Sequence, residues 1–312
     1  MLKYIISRFA LSLVTLWVII TLTFVLMHSI PGNPFASEST MPQGVYENLM
    51  KYYNLDKPLV IQYGMYLKSI AHFDFGPSIK KSTVSVNGYI QKSFPVSAHL
   101  GLQALAIAIF FGVLLGTIAA LNHNKGPDYF SMVLAIIGIS VPSFILATVL
   151  MNYIAVEWKL LPVAGWKTWK HTILPSVALA MMPMAYIARL MRSSMLEVLG
   201  QDYIKTAKAK GMAKSIIILK HALRNAILPV VTVLGTIATN LVTGSFIIEN
   251  IFGIPGMGDM FVKGIFDRDY PIILGSAVFY SAILILLTFL IDIAYTLIDP
   301  RIKLVGGVRD AH

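Results

Sequence analysis

A row of hydroxyl and amide side chains inside one strongly apolar stretch is the first candidate for chemistry in this chain. The row recurs at three- and four-residue spacing, which places its members on one face of a helix: Thr232, Thr236, Thr239, Asn240 and Thr243. Such a face can line a water-filled passage, with Asn240 the strongest single candidate. The same hydroxyls can instead serve helix packing and interhelical hydrogen bonds, as is common in membranes, so both interpretations stay open.

Asp292 is the one carboxylate that falls within an apolar stretch of spanning length. Leaving it charged in lipid costs at least about 2.5 kcal/mol, so an acid at such a position is a functional candidate by default. Its place near the inner end of the last stretch favours an ion pair with Arg189 or Arg192. We therefore predict a structural ion pair among these side chains.

The motifs of common enzymes are missing from the sequence. It contains no Gly-Lys-Ser or Gly-Lys-Thr to complete a P-loop, no H-E-x-x-H and no G-x-S-x-G. Cysteine is absent, and His28, His99 and His171 stand singly near the ends of apolar stretches. A hydrogen-bonded interfacial histidine is favoured there over a metal ligand. We predict no catalytic, cofactor-binding or metal-ligating residue, and no ATP hydrolysis by this chain.

The composition is that of a membrane protein. Of 312 residues, 56% are hydrophobic and 13% are charged, with a mean hydropathy of +0.73, whereas soluble domains carry roughly 25% charge. These values exclude a soluble globular protein and a disordered one. The formal charge of +10 suits anionic lipid headgroups better than nucleic acid in so apolar a chain, and we predict no nucleic-acid partner.

Charge-poor windows predict the membrane spans, because a helix needs roughly 20 apolar residues to cross the hydrocarbon core. Six windows qualify: 9–30, 98–121, 129–156, 172–188, 226–248 and 272–298. The first follows Lys3 and Arg8 but is about twice as long as the core of a signal peptide, so we interpret it as an anchored helix. An all-α integral membrane protein with six transmembrane helices is predicted.

Two windows carry packing signals. Small residues recur every fourth position in the second window, at Ala108, Gly112, Gly116 and Ala120, which favours close helix packing. Pro142 interrupts the third window and predicts a kink, either static or a hinge.

Loop composition predicts the orientation. Residues 31–97 are polar and turn-rich, with short amphipathic helices predicted at 46–53 and 59–70, and form a small domain outside the membrane. With the N-terminus inside, fourteen Lys and Arg residues lie on the cytoplasmic side, against five in the short outside loops. This asymmetry predicts that both termini are cytoplasmic.

The cytoplasmic segment between the fourth and fifth windows is the most informative. It predicts a helix, a break and a second helix, with Gly211 as the left-handed cap of the first and Ser215 as the cap of the second. Three small residues beside an apolar cluster would make a slim surface: Ala207, Ala209 and Gly211, next to Ile216, Ile217, Ile218 and Leu219. The segment could rest on lipid headgroups or serve as a docking handle for a cytoplasmic protein.

This segment resembles the EAA loop of ABC-importer permeases, with Thr206-Ala207 standing where the name-giving Glu-Ala-Ala would be. The resemblance covers nearly the whole chain and is closest to the B-type permease subunit of oligopeptide and dipeptide importers. The supporting stretches, in order, are IPGNP at 30–34, LDKP at 55–58, QY at 62–63, FDFGPS at 73–78, FPVS at 94–97, SVPSF at 140–144, FGIPGMG at 252–258 and DPR at 299–301.

The resemblance implies a type I ABC-importer permease fold in a bacterial inner membrane. The expected domains are a transmembrane helix at 1–30, an extracellular domain at 31–97, a five-helix core at 98–305 with the coupling loop at 192–226, and a cytoplasmic tail at 306–312. The implied partners are a second, C-type permease, two ATPase subunits that hold ATP and magnesium, and an extracellular lipid-anchored binding protein that delivers a peptide.

The same resemblance assigns the ATPase contact to one set of residues: Thr206, Ala207, Lys208, Ala209, Lys210, Gly211, Ile216 and Ile217. Import of nickel or glutathione by the same architecture is the alternative within the family. A stand-alone channel or secondary transporter is the alternative from another class, and it would need coupling-ion carboxylates of which the chain offers only Asp292.

Overall fold

The regular elements of the chain are helices, in a computed structural model that describes residues 2–29, 42–80 and 84–298. The predicted tail at 306–312 and the stretches at 30–34 and 299–301 lie outside the described residues. In chain order the helices are α1 Leu2–Ser29, α2 Gln43–Tyr52, α3 Leu59–Ala71, α4 Val86–Leu121, α5 Gly126–Ser140, α6 Ser143–Leu150 continued by a π-helix at Met151–Glu157, α7 Lys170–Leu199, α8 Asp202–Ala209, α9 Lys214–Ile216 continued by a π-helix at Ile217–Ala222, α10 Leu223–Ala226, α11 Leu228–Val242, α12 Phe246–Ile251, α13 Met257–Asp267 and α14 Tyr270–Ile298.

Four described helices are long and apolar enough to cross a membrane: Ile5–Ser29, Val86–Leu121, Lys170–Leu199 and Tyr270–Ile293. Two bent pairs also qualify, Gly126–Ser140 with Ser143–Glu157 and Lys214–Ala226 with Leu228–Val242. The predicted all-helical membrane fold is confirmed. Six crossings result when each bent pair counts as one span.

The helix bounds differ from the predicted windows at two places. The second span begins at Val86 and runs through Pro95, twelve residues before the predicted start at Ala98. The fourth span extends to Leu199, although its window ended before Arg189. Hydropathy marks only the part of a helix that lipid requires to be apolar, whereas the backbone hydrogen bonds continue the helix beyond it. The short helices predicted at 46–53 and 59–70 are confirmed as α2 and α3.

Pro142 causes a larger change of direction than a kink. α5 ends at Ser140 and α6 begins at Ser143, with Val141 and Pro142 in extended conformations between them. The two helices are bent by 107° at this break. A proline cannot donate the backbone hydrogen bond that would continue α5, and it disfavours helical conformation in the residue before it.

The residues divide into two compact units by their packing. The first unit contains residues 97–254 and 286–298, and α7 is its central helix. Added methyl groups at Gly112 and Gly116 of α4 would lie 2.7 Å from Ile187 Cγ2 and 2.5 Å from the Ala188 carbonyl oxygen on α7. The packing interpretation of these small residues is confirmed, because only glycine allows the two helices to approach so closely.

The second unit contains residues 2–96 and 255–285. Its core holds two hydrophobic clusters, one around Val86 and Met257 and the other around Phe24 and Leu274. Asp269, almost fully buried, accepts a 2.5 Å hydrogen bond from the Ser78 hydroxyl and one from the amide of Ile272 in the first turn of α14. One carboxylate thus anchors both the 78–80 segment and the start of α14. This division into two units follows packing and does not test the predicted domain bounds, which stay predictions.

Candidate functional site

The hairpin formed by α8 and α9 carries the residues that the sequence assigned to a docking handle. α8 ends in a Schellman motif: the Gly211 amide donates to the Lys208 carbonyl at 3.0 Å, and the Met212 amide donates to the Ala207 carbonyl at 3.3 Å. Gly211 has a φ of +72°, in the left-handed region that glycine adopts without strain. The predicted glycine cap is confirmed.

The prediction that Ser215 caps the second helix is wrong. That helix begins at Lys214, and Ala213 occupies the N-cap position without a side-chain hydrogen bond. Because the chain passes directly from an extended Ala213 into helix, the cap falls two residues before Ser215, which lies within the first turn.

Two of the predicted handle residues are buried in the hairpin itself. Ala207 is 7% exposed and Ile217 is 4% exposed, and both lie in the first unit with the fully buried Ile204. A further link joins α8 to α10, since the Asn225 side-chain amide donates to the Tyr203 hydroxyl at 3.1 Å. These contacts correct the expectation that Ala207 and Ile217 form part of the slim exposed surface. They hold the hairpin together.

What we call the handle surface consists of seven exposed residues of the hairpin: Thr206, Lys208, Ala209, Lys210, Gly211, Ile216 and Leu219. Ile216 is 45% exposed and Leu219 is 65% exposed, so two large aliphatic side chains stand beside two lysines. Small residues between them allow another backbone to approach closely. This combination fits a protein groove that is apolar at its floor and acidic at its rim.

The polar row on α11 separates into two groups. Thr239 and Thr243 are buried, and their hydroxyls donate to the carbonyls of Gly235 and Thr239 at 3.1 Å and 3.0 Å. Thr232, Thr236 and Asn240 are exposed at four-residue spacing. The packing interpretation therefore fits the first group, whereas the passage interpretation remains for the second. Gly235 belongs to packing as well, because a methyl there would lie 2.5 Å from Ile291 Cγ2.

Arg192 binds a partner that the sequence analysis did not consider. Its guanidinium contacts both carboxylate oxygens of Asp128, with Nε 2.6 Å from Oδ1 and Nη2 2.8 Å from Oδ2. Asp128 falls just outside the third predicted window, although an acid in the first turn of a helix is a recognisable signal. The predicted ion pair of Asp292 with Arg189 or Arg192 stays a prediction.

The histidines near span ends have ordinary partners. His28 Nδ1 lies 2.9 Å from the Phe24 carbonyl oxygen and its Nε2 lies 3.2 Å from Gln62 Oε1. His171 Nδ1 lies 2.9 Å from the Thr168 hydroxyl. Both histidines therefore have hydrogen-bond partners, as the sequence predicts. Throughout the described ranges, no three His, Asp or Glu side chains come together as metal ligands would.

Comparison with known proteins finds similar sequences over nearly the whole chain. Residues 112–304 match the family described as binding-protein-dependent transport system inner membrane component, and residues 1–100 match its N-terminal region. The chain is 58% identical to the dipeptide transport system permease protein DppB of Bacillus subtilis, over 97% of this chain and 99% of that one. It is 46% identical to the oligopeptide transport system permease protein OppB of Haemophilus influenzae, over 97% and 100%.

A solved structure supports the fold at low sequence identity. It is the crystal structure of an amino acid ABC transporter with histidines, which aligns with a TM-score of 0.53 and 15% identity over 69% of this chain and 94% of that one. At this identity the likeness concerns the fold alone.

Proposed function

The chain belongs to the family of binding-protein-dependent transport system inner membrane components, and from that premise we propose that it is the permease subunit through which an ABC importer takes up dipeptides or oligopeptides. The observation that carries the proposal is the 58% identity to a dipeptide permease over 97% of the chain. A protein of this family is a membrane transport component, and the partner subunits supply the ATP hydrolysis.

The handle surface is the proposed contact with a cytoplasmic ATPase subunit. The Schellman motif and the buried Ala207 and Ile217 keep the hairpin rigid. A displacement of Ala209 is therefore transmitted to α7 and is not absorbed by a flexible loop. Shifting a two-state permease from 1:99 to 99:1 takes about 5.5 kcal/mol of differential binding. A stiff handle lets nucleotide binding in the partner act on that equilibrium.

The proposed assembly contains this chain, a second permease of the C type, two ATPase subunits that hold ATP and magnesium, and an extracellular binding lipoprotein. The chain itself binds no cofactor in this scheme. Both termini are on the cytoplasmic side, as the excess of Lys and Arg in that set of loops supports. The predicted outside domain at 31–97, which contains α2 and α3, is the proposed contact for the binding protein.

The exposed row on α11 is the proposed part of the peptide passage. Thr232, Thr236 and Asn240 offer donors and acceptors that can replace water around a peptide backbone. Because these side chains are exposed in this chain, they can form one wall of a passage whose other wall a second permease supplies.

Removing the exposed polar groups is expected to reduce uptake without loss of protein. The double variant Asn240→Leu and Thr236→Val leaves no side-chain amide or hydroxyl at these two positions, and we expect peptide uptake to fall at least about tenfold, as one or two lost hydrogen bonds would give. Initial uptake of a labelled dipeptide by reconstituted vesicles measures it.

The matched control is Thr239→Val, which removes a buried hydroxyl from the same helix. We expect it to lower thermal stability while leaving uptake per folded complex unchanged. Normal uptake in the double variant would assign the whole row to packing.

Affinity purification in a gentle detergent tests the proposed function. Recovery of a second permease and P-loop ATPases with this chain, together with dipeptide uptake by the reconstituted complex, is the expected result. Uptake of nickel or glutathione in place of peptides would show that the chain is a permease of the same family with a different substrate. Recovery of this chain alone as a stable homo-oligomer would favour a channel or secondary transporter.

A further inference from the structure

Asp128 and Arg192 form an ion pair that joins the first turn of α5 to α7, with the carboxylate buried and the guanidinium partly exposed. The Asp128 side chain is 2% exposed and the Arg192 side chain is 24% exposed. Besides its two contacts with the guanidinium, the carboxylate accepts a 2.9 Å hydrogen bond from the Asn124 amide. His123 Nδ1 lies 3.3 Å from Asp128 Oδ2 and 3.2 Å from Arg192 Nη2.

The pair connects the end of α7, which leads into α8, to the start of α5. Arg192 lies within the last third of α7, two turns before that helix ends and the chain enters α8. Asp128 lies in the first turn of α5, directly after the turn at 122–125. The two residues are 64 positions apart, so their contact exists only in the folded first unit.

The other buried residues of α5 have small side chains. They are Ser131, Ala135 and Gly138. A methyl at Gly138 would lie 3.0 Å from Ala185 Cβ on α7. Packed helices of this kind shift by small sliding movements, because apolar contacts have no preferred direction. A two-point contact between a guanidinium and a carboxylate has a fixed geometry and therefore sets one register.

We propose that Asp128 and Arg192 are positioning residues that lock the register of α5 on α7, so that a displacement of the α8–α9 hairpin reaches α5. The inference rests on the proposed function in one respect: the movement starts at the hairpin because an ATPase would bind there. In this proposal the ion pair transmits a movement of the handle surface to α5, the first helix of the span that breaks at Pro142. Loss of the pair leaves the apolar contact in place but allows it to slide.

Distance measurement in the full chain tests the lock directly. This chain contains no cysteine, so cysteines introduced at Lys205 and Lys125, both exposed and outside the handle surface, are the only sites in it that a spin label can modify. Pulsed electron resonance on the complex in nanodiscs then reports the distance between the hairpin and the α4–α5 turn. We expect a single narrow population in the parent and an additional, shifted population in Asp128→Asn and in Arg192→Lys.

Two further variants separate positioning from folding. The exchanged pair Asp128→Arg with Arg192→Asp is expected to restore the single population, because the opposite charges face each other again. Glu157→Gln removes an exposed carboxylate from the same unit and is expected to leave the distance unchanged. In the complete importer, Asp128→Asn is expected to raise the ATP hydrolysed per peptide transported at least about fivefold, the lower end of usual allosteric coupling factors.

Several results would overturn the inference. They are an unchanged distance in Asp128→Asn, a shifted distance with a normal ratio of ATP to peptide, and a loss of folded chain in both single variants that the exchanged pair repairs. The last of these would make the pair a folding element only. If no ATPase is recovered with the chain, the proposed function fails, and the distance measurement still decides whether the pair locks the register.

Discussion

Replacing Gly101 by alanine is expected to remove most of the folded protein from the membrane. Gly101 lies on α4 where the end of α11 crosses it, and a methyl group there would meet the Leu241 carbonyl group, with its carbon 2.5 Å away, and would lie 2.8 Å from Val242 Cα. Backbone atoms cannot rotate aside as a side chain can, so the helices must separate. Overpacking of this kind costs about 3 kcal/mol or more, a large part of the stability of a typical domain.

The amount of monodisperse protein after detergent extraction, and its thermal midpoint, measure this effect. Gly64→Ala is the matched control, since Gly64 also lies inside a helix but has no atom within 4 Å of an added methyl group. Alanine favours a helix over glycine by about 1 kcal/mol, so the control should be as stable as the parent or more stable. Equal yields and midpoints for both variants would show that α4 and α11 are not in this close contact.

Replacing Ala209 by glutamate is expected to release the ATPase subunits while the permease still folds. The residue is exposed between Lys208 and Lys210, and a longer, negatively charged side chain there would both block a close approach and repel an acidic rim. Its own cost is small, because an acid near a helix C-terminus destabilises by only about 0.3–1 kcal/mol. Loss of one central interface contact of about 2 kcal/mol weakens binding roughly 30-fold.

Recovery of ATPase subunits with the affinity-purified chain measures this loss. Ala71→Glu is the matched control, an exposed alanine that is changed in the same way on α3 of the second unit. Ala207→Glu gives the contrasting result: its carboxylate would be buried in the hairpin, so we expect less folded chain altogether. Full recovery of ATPases with Ala209→Glu would remove the handle surface from the proposed interface.

The membrane-spanning helices and the cap at Gly211 were predictable from different features of the sequence. The hydropathy of the chain was enough to predict helices across the membrane, since lipid demands about 20 apolar residues whatever the neighbouring helices are. Local chemistry was enough for the cap at Gly211, because its left-handed conformation depends only on the residues of that turn. The handle segment was recognisable for the same reason, as a contiguous run of residue types.

The sequence by itself thus determined the membrane environment, the helical class, the likeness to peptide permeases and the place of the α8–α9 hairpin. Only the tertiary structure decided which side of each helix is covered. It buried Ala207 and Thr239, left Ala209 and Asn240 exposed, and brought Asp128 to Arg192 across 64 positions of sequence. The physical reason is that spacing along a helix tells which residues share a face, whereas burial of that face depends on distant segments that pack against it.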